Sequence, residues 1–415
     1  MTDSRSPPTT TTAIVLHGPK DLRIETLPLP PPPPGHLQIE IRSTTLCGSD
    51  LHYYNHFRNG NIVCTEPLAL GHESSGTVVA IGEGVEEEFK IGDMVALEVG
   101  IPCGECGFCD PGAVSSPAEQ SRAPSTAGQE AGEGGAEGKR PKQLGPRYNL
   151  CPSLRFRSSA KSTPHLWGTL QTHLNHPSPL CHLIPSSSTI TFADAALLEP
   201  LAVAVHAHRR SGLSTQGKRV LIMGSGAIGL LVAVVSRAYG ASHIITADVS
   251  SSRVAFGVDD LRWATAGYTV LPSSPPTTTA ENVKSLLGDQ RSRAGVDGFD
   301  IVFECTGFPD AVAASIYAAA PGAVVVLIGM GHPEMVLPVS AAALREVDVK
   351  GSFRYGKGDY AEARRLLVEG GVEGVGRLVG VRVNGVERVE EGFRVAAEGG
   401  GGGRGVKVEC VFGEE

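Results

Sequence analysis

The 415-residue sequence predicts a two-part α/β protein, in which a β-rich region is joined to a doubly wound parallel sheet. Short β-branched stretches separated by turn residues run from residue 13 to 110, whereas strand-like and helix-like stretches alternate after residue 202. Apolar residues make up 41% of the chain and charged residues only 19%, so a sizeable core can form and global disorder is excluded.

The individual elements follow from local patterns. Alternating or continuous apolar runs of strand length predict strands, and longer apolar runs that open after glycine predict helices. The predicted strands are 37–42, 76–81, 93–99, 219–223, 243–248, 299–304, 324–328 and 406–412, and the predicted helices are 228–239 and 310–320. A run of five glycines at 399–403 is expected to form a flexible turn before the last strand.

Charge and hydropathy exclude several partners. The formal net charge of -8 argues against nucleic-acid binding, which usually needs a basic face. Two apolar runs resemble membrane spans, but 220–235 is too short and 311–331 is broken by Pro321-Gly322, so no membrane association is expected. The polar first twelve residues lack the apolar stretch of a signal peptide, which favours a cytoplasmic location.

Residues 113–146 differ from their surroundings. They contain only two large apolar side chains, Val114 and Leu144, among Ala, Gly, Ser, Pro and Glu. Such a segment cannot bury enough surface to offset its ordering entropy, so we predict a disordered insertion. A partner-binding loop and a translated intron are the alternatives.

A glycine-rich motif predicts a dinucleotide site. Gly224, Gly226 and Gly229 form a G-x-G-x-x-G that follows a strand and opens a helix, which is the context that a Rossmann fingerprint requires. Gly224 would permit the tight turn, Gly226 the approach of a pyrophosphate, and Gly229 close helix–sheet packing. A glycine-rich turn without a ligand is the alternative.

Asp248 ends the next strand, 19 residues after Gly229, where a carboxylate binds the ribose hydroxyls of NAD and repels the 2′-phosphate of NADP. NAD is therefore favoured. Arg253 leaves an alternative open, since it could bind that phosphate or pack on the adenine.

Four of the nine cysteines form a cluster with metal-ligand spacing. Without a signal peptide, close-set cysteines in an odd total favour metal binding over disulfides. Cys103, Cys106, Cys109 and Cys151 can supply a tetrahedral S4 set, so we predict a closed structural zinc site. The predicted insertion lies between the last two, but its closure entropy costs only about 1.6 kcal/mol. An iron–sulfur cluster and free cysteines are the alternatives.

A second, dispersed set can hold a zinc ion with one position left open. It consists of Cys47, His72, Glu73 and Glu199. Taken singly, each residue has a structural interpretation: His72 could donate in a turn, and Glu199 could cap a helix.

Six stretches together resemble one family. They are CGSDLHYY at 47–54, LGHESSG at 70–76, RYNLCPSLRFRSSAKSTPH at 147–165, LLEPLAVAVHA at 197–207, VFECTG at 302–307 and REVDVKGSFRYG at 345–356. In these the chain resembles the zinc-dependent medium-chain dehydrogenases, in the polyol branch that includes sorbitol and xylitol dehydrogenases of filamentous fungi. The likeness covers nearly all of 13–412 except the predicted insertion.

The resemblance implies a GroES-like catalytic domain, 1–201 with 354–415, and a Rossmann domain, 202–353. It places Cys47, His72 and Glu73 at the catalytic zinc, with Glu199 binding the zinc-held water or the substrate. Ser49 and His52 become candidates for a proton relay. Further residues are implied at the polyol site, namely Tyr53, Arg354 and Tyr355, and at NAD, namely Ile228, Asp248, Arg253, Ile328, Gly329, Met330, Ser352, Phe353 and Arg354.

The implied activity is oxidation of a polyol, sorbitol or xylitol, to a ketose by zinc-assisted hydride transfer to NAD. L-Arabinitol 4-dehydrogenase, a simple zinc alcohol dehydrogenase and a non-catalytic nucleotide-binding relative are the alternatives. The resemblance also implies a homo-oligomer, in particular a tetramer.

Overall fold

The structure is a computed structural model, and it describes residues 7–110, 145–293, 295–332, 334–399 and 405–413. Residues 113–144 of the predicted insertion lie outside the described residues. The last two residues of that prediction, Gly145 and Pro146, are described, and Gly145 is buried in the lobe that carries the four cysteines. The bounds of the predicted insertion stay a prediction.

The first part of the chain is β-rich, as predicted. Its strands are β1 (Thr10–Gly18), β2 (Asp21–Pro28), β3 (His36–Thr45), β4 (Arg58–Asn59), β5 (Ile62–Val63), β6 (Leu68–Ala69), β7 (Glu73–Ile81), β8 (Met94–Leu97), β9 (Gly100–Ile101), β10 (Arg155–Phe156), β11 (His173–Pro177) and β12 (Cys181–Ile184). Its helices are α1 (Gly48–His56), α2 (Phe192–Ala196) and α3 (Leu198–Ser211), with short 3₁₀ turns at Tyr148–Leu150 and Ser178–Leu180.

The second part alternates strand and helix. Its strands are β13 (Arg219–Met223), β14 (His243–Asp248), β15 (Ala266–Thr269), β16 (Ser292–Arg293), β17 (Val296–Asp297), β18 (Phe299–Glu304), β19 (Ala319–Leu327) and β20 (Asp348–Gly351). Its helices are α4 (Ala227–Ala238), α5 (Ser251–Ala255), α6 (Pro276–Ser285), α7 (Pro309–Ala318) and α8 (Val339–Ala343), with a π-helical turn at Phe256–Asp260 and a 3₁₀ turn at Gly288–Gln290.

Six of these strands form one parallel sheet in the order β15-β14-β13-β18-β19-β20. The order reverses between β13 and β18, so a crevice opens at their carboxyl ends, which is where such sheets bind nucleotides. All six strands lie within the predicted Rossmann region. Its boundaries stay a prediction, and α3 runs without a break across residue 201.

The C-terminal residues return to the first part. They form α9 (Asp359–Val368), α10 (Val389–Ala397), β21 (Val379–Asn384) and β22 (Lys407–Val411), with 3₁₀ turns at Val375–Leu378 and Val386–Arg388. β22 pairs with β3 and completes a seven-stranded sheet in the order β12-β8-β7-β3-β22-β21, to which β11 adds on β3. Two smaller strand groups, β2-β1-β6 and β10-β9, flank this sheet.

One predicted element ends early. The helix predicted to continue to Ala320 stops at Ala318, and β19 starts at Ala319. Arg345 explains the end of the helix, because its guanidinium donates to the carbonyl oxygens of Ile316 and Ala319, each at 2.6 Å. Free carbonyls of a last turn are thus satisfied by a side chain.

Both runs that resembled membrane spans divide into a strand and a helix. Residues 220–235 fall in β13 and α4, and 311–331 fall in α7 and β19. Within the described ranges, every helix is too short or too polar to cross a bilayer.

Candidate metal centre and cofactor cleft

Three of the dispersed ligand candidates meet at one point. The ligand atoms of Cys47, His72 and Glu73 all lie within 4.8 Å of one another. Cys47 precedes the first turn of α1, whereas His72 and Glu73 stand at the start of β7. A sequence separation of some 25 residues is thus closed by the pairing of β3 with β7, which places Thr45 opposite Glu73.

Asp50 orients the imidazole of this group. It is fully buried, and its Oδ1 lies 3.3 Å from His72 Nδ1. The same carboxylate accepts the backbone N–H groups of Gly71 and Cys47, each at 3.0 Å, and the hydroxyl of Ser158 lies 2.9 Å from His72 Nδ1. With Nδ1 engaged, Nε2 is the atom left to bind a metal.

Burial disfavours charge on His72. The carboxylate of Asp50 and the thiolate of Cys47 outweigh burial and raise the pKa of the ring well above its usual value. The fully buried Asp50 shows the reverse: burial works against its charge, but His72 lowers the pKa of the carboxyl.

Glu73 has a second partner that the sequence analysis missed. Lys407 Nζ lies 2.5 Å from Glu73 Oε2 and also contacts Oε1, and the hydroxyl of Thr45 donates to the same carboxylate. Glu73 and Lys407 are 1% and 4% exposed. The carboxylate predicted as a zinc ligand therefore lies in the cluster and is neutralised by a buried ammonium group.

Glu199 lies just outside the group of three. It is buried near the start of α3 and interacts electrostatically with His72, Glu73 and Arg354. Burial first, and then the repulsion of Glu73, raise the pKa of Glu199 to about 7.

Two of the predicted polyol residues, Arg354 and Tyr355, interact electrostatically with Glu199. Tyr355 is fully buried, and its side chain lies beside Glu199. Burial and the charge of Glu199 raise the pKa of Tyr355 well above its usual value. The Arg354 guanidinium lies 3.5 Å from the centre of the Phe156 ring. Tyr53 is buried too, and its hydroxyl accepts the N–H of Ala160 at 3.2 Å.

The two relay candidates lie on α1, next to the cluster. Ser49 is half-buried and His52 is exposed, so the pair runs from the cluster towards solvent. His52 stands 6.3 Å from His56, measured between ring centres.

The glycine-rich turn has the predicted geometry. Gly224 has a φ of 105°, which glycine alone adopts readily. A Cβ on Gly229 would stand 1.8 Å from the carbonyl oxygen of Gly224, whereas nothing lies within 4 Å of the Cβ position at Gly226. The strand-to-helix turn is therefore closely packed on one side and open at Gly226.

Asp248 lies at the end of β14, next to this turn. Its Oδ2 accepts the N–H of Ser225 at 2.7 Å, and its Oδ1 accepts the N–H of Ser250 at 2.9 Å. These bonds hold the carboxylate at the turn, with lone pairs left for a ligand.

One cleft joins the metal cluster to the glycine-rich turn. It has a volume of about 290 Å³, and Cys47 and Glu73 line one end, whereas Ile228 and Arg253 line the other with the turn glycines. Gly226 and Gly229 are among its lining residues. A bound ligand in this cleft would touch both the cluster and the nucleotide fingerprint.

The remaining predicted cofactor residues lie where β19 and β20 end. Ile328 and Gly329 are half-buried, Met330 is exposed, and Ser352 and Phe353 directly follow β20. A Cβ on Gly329 would lie 2.2 Å from the N atom of Gly307, so the turn after β19 packs against the turn after β18.

The four close-set cysteines converge as predicted. The Sγ–Sγ distances are 3.5 Å for Cys106–Cys109, 3.5 Å for Cys151–Cys103 and 3.9 Å for Cys103–Cys109. Two thiolates at the usual zinc–sulfur distance in a tetrahedron stand about 3.8 Å apart, whereas a disulfide needs about 2.05 Å. The spacing therefore fits a tetrahedral metal site and not disulfides.

Backbone N–H groups help to ionise one of these thiols. Burial works against the thiolate of Cys103, but the N–H groups of Glu105 and Cys106 outweigh it and lower the pKa of Cys103 to about 7. Thiolates are the form that binds zinc.

Sequence analysis missed Asp50, Ser158, Thr45 and Lys407. Asp50 had a local signal, because it follows Cys47 by three residues, which is the spacing at which a helix-start carboxylate bonds back to the backbone. Lys407 had a weaker local signal, because it is a charged residue inside the otherwise strand-like segment VKVEC. Nothing local marks Ser158 or Thr45.

The chain is similar to known dehydrogenases. Residues 33–138 match the alcohol dehydrogenase GroES-like domain, and residues 227–369 match the zinc-binding dehydrogenase family. The chain is 36% identical over 345 residues to the sorbitol dehydrogenase of Gallus gallus, a match that covers 83% of this chain and 82% of that protein. The chain belongs to the zinc-containing medium-chain dehydrogenases.

Other family members extend the match. The probable D-xylulose reductase A of Emericella nidulans is 33% identical and covers 96% of both chains. The crystal structure of L-idonate 5-dehydrogenase from Escherichia coli matches with a TM-score of 0.76 at 25% identity, over 97% of this chain and 98% of that one. The predicted α/β fold of a GroES-like domain with a Rossmann sheet is confirmed.

Membership sets the general chemistry. The protein is a zinc-dependent dehydrogenase of the polyol and alcohol type. Its four-cysteine cluster has the arrangement of a structural zinc site, and its Cys–His–Glu cluster that of a catalytic one.

Proposed function

We propose that the protein oxidises a polyol, sorbitol or xylitol, to the corresponding ketose with NAD. The observation that carries this proposal is the group formed by the buried Tyr355 hydroxyl and the Arg354 guanidinium beside Glu199. Buried polar atoms need hydrogen-bond partners, and a substrate with several hydroxyls can bond to more than one of them.

Cys47 and His72 are the residues that would hold the catalytic zinc, with Glu73 and Glu199 as the carboxylates at hand. The donor set fits this ion, since one thiolate, one imidazole and carboxylates are zinc ligands that leave a position open. When bound, zinc lowers the pKa of an alcohol and NAD accepts a hydride.

The side chains around the cluster have separate roles in this proposal. Asp50 fixes the His72 ring, and Arg354, Tyr355 and Tyr53 bind the hydroxyls away from the reacting carbon. Ser49, and then the exposed His52, pass the released proton to solvent along α1.

NAD is the proposed cofactor because Asp248 stands at the turn that would receive the adenosine ribose. The contacts would come from the cleft residues Gly226, Ile228 and Arg253 and from the turns after β19 and β20. Asp248→Ser should weaken NAD and admit NADP, since the repelling charge is gone and Arg253 remains. A wild type that prefers NADP in kcat/KM would contradict this choice.

The experiment is a panel of sorbitol, xylitol, L-arabinitol and a short secondary alcohol, each with NAD and with NADP. We expect the highest kcat/KM for sorbitol or xylitol with NAD. Arg354→Ala should raise KM for the polyol at least tenfold more than for the short alcohol, because only the polyol offers further hydroxyls. Equal losses on both would refute a polyol-binding role.

Two further expectations come from the family likeness and from the sequence analysis, respectively. A homo-oligomer, in particular a tetramer, and a cytoplasmic location stay predictions. Gel filtration with light scattering would test the first, and localisation of a tagged chain the second.

A further inference from the structure

The loop that carries the proposed polyol residues is held in an unusual conformation. It runs from the end of β20 to the start of α9, and Arg354 at its centre has a φ of 53°. Side chains other than glycine rarely adopt this left-handed region, and they remain there only where the surroundings hold them.

The first holding contact comes from Asn149. This buried residue lies in the 3₁₀ turn Tyr148–Leu150, and its Nδ2 donates to the carbonyl oxygen of Phe353 at 2.8 Å. That carbonyl immediately precedes Arg354. The segment just before this turn also packs against Gly356, since a Cβ added to Gly356 would lie 2.9 Å from the carbonyl oxygen of Pro146.

The second holding contact comes from Asp359. It is fully buried at the start of α9, and its Oδ2 accepts the N–H of Gly356, the residue after Tyr355, at 2.6 Å. His206 Nδ1 lies 2.7 Å from the same oxygen, and Arg209 lies 2.9 Å from Oδ1. The carboxylate is therefore itself held in place from α3.

The two contacts bracket the Arg354–Tyr355 pair, one on each side. The helix α3 connects the bracket to the metal cluster, since His206 follows Glu199 by seven residues, which is about two helical turns on one face. A single helix thus sets the position of Glu199 and, through Asp359, that of the peptide after Tyr355.

We propose that Asn149 and Asp359 are positioning residues for substrate. They hold the 353–356 backbone so that Arg354 stays stacked on Phe156 and the Tyr355 hydroxyl faces Glu199. The proposal rests on the proposed function, since it takes Arg354 and Tyr355 as the polyol-binding groups. It adds that polyol selectivity depends on two residues that need not touch the substrate.

The test uses Asn149→Ala and Asp359→Asn in the zinc-loaded full-length enzyme. Each should raise KM for the preferred polyol by about fivefold to tenfold, the usual effect of one orienting hydrogen bond that is lost, as in Asn149→Ala, or loses its charged acceptor, as in Asp359→Asn. KM for a short secondary alcohol should change less than twofold, and zinc content should stay at the wild-type value. Asp359→Glu should not rescue, because the longer chain displaces the oxygen from Gly356.

The chain offers matched controls. Asn175 makes the same type of bond, from Nδ2 to the carbonyl oxygen of Pro30 at 2.9 Å, and Asp194 accepts the N–H of Gly376 at 2.8 Å. Asn175→Ala removes a like bond elsewhere in the catalytic part, and Asp194→Asn exchanges a like charged acceptor for a neutral amide oxygen. They should leave the ratio of the two KM values at that of the wild type.

A second readout does not need a polyol. Hydrogen–deuterium exchange of the peptide 352–358 should become faster in Asn149→Ala and Asp359→Asn and stay unchanged in both controls. If Asp359→Asn fails to fold, Asn149→Ala still carries both measurements.

The outcomes separate the two proposals. If the wild type oxidises no polyol but exchange is faster in the variants, the proposed function is refuted. The result would still show that Asn149 and Asp359 hold the 353–356 backbone. Unchanged exchange in the variants would overturn the inference, and so would equal KM increases for polyol and short alcohol while wild type prefers the polyol.

Discussion

The Lys407–Glu73 pair allows a sharp test, because both groups are almost completely buried. Lys407→Met keeps the apolar stem and removes the ammonium group. At an effective dielectric constant of 20, unit charges at the observed 2.5 Å attract each other by about 7 kcal/mol. Desolvation offsets much of this, and breaking a buried pair on one side costs about 3–5 kcal/mol. We expect a loss of that size in the free energy of unfolding.

The assay is urea denaturation without added zinc, followed by circular dichroism. Arg388→Met is the control, since it removes a cation whose partner Glu391 lies at the surface, and its midpoint should match the wild type. The double variant Glu73→Gln/Lys407→Met should be more stable than Lys407→Met, because the uncompensated carboxylate is gone. Two results would contradict this. Either the double variant is less stable than Lys407→Met, or Lys407→Met alone lowers the free energy of unfolding by less than about 1 kcal/mol.

Three further predictions concern metal, pH and the predicted insertion. Cys47→Ser should abolish turnover and lower bound zinc from about two to about one per chain by elemental analysis; retained activity would refute its ligand role. Burial lowers the pKa of His208 from 6.5 to about 4, so the free energy of unfolding of the wild type should fall as the pH drops through this window. Between pH 7 and pH 4, His208→Gln should lose up to about 3 kcal/mol less of that free energy than the wild type, as measured by urea titrations. Parallel pH curves for the two proteins would contradict this. Removing residues 113–144 joins Gly112 to Gly145. The bound zinc per chain and kcat should stay unchanged, and the entropy cost of closing the cysteine lobe should fall by about 1.3 kcal/mol. Loss of bound zinc would show that the segment belongs to the site.

The sequence predicted the structure correctly where the residues of a motif lie close together in the chain. The glycine spacing after a strand predicted the Gly224 turn, and the spacing of Cys103, Cys106 and Cys109 predicted three thiols of the cluster, because both depend on neighbours along the chain. Contacts between distant residues were out of reach. Asn149 and Phe353 are 204 residues apart, and no pattern in either segment indicates the other.

The end of α7 shows the same limit on a smaller scale. Alanine continues a helix as well as any residue, so the run AAA at 318–320 gave no stop signal. The stop comes from Arg345, 26 residues later in the chain.

The place where Gly145 enters the cysteine lobe has a consequence for protein engineering. A Cβ on Gly145 would lie 2.3 Å from the carbonyl oxygens of Phe108 and Cys109, so the chain returns beside the point at which it left. A segment whose two ends already meet adds closure entropy only logarithmically with its length, about 0.6 kcal/mol per doubling. This position should therefore tolerate the insertion of a reporter domain or an affinity tag whose own termini are close together.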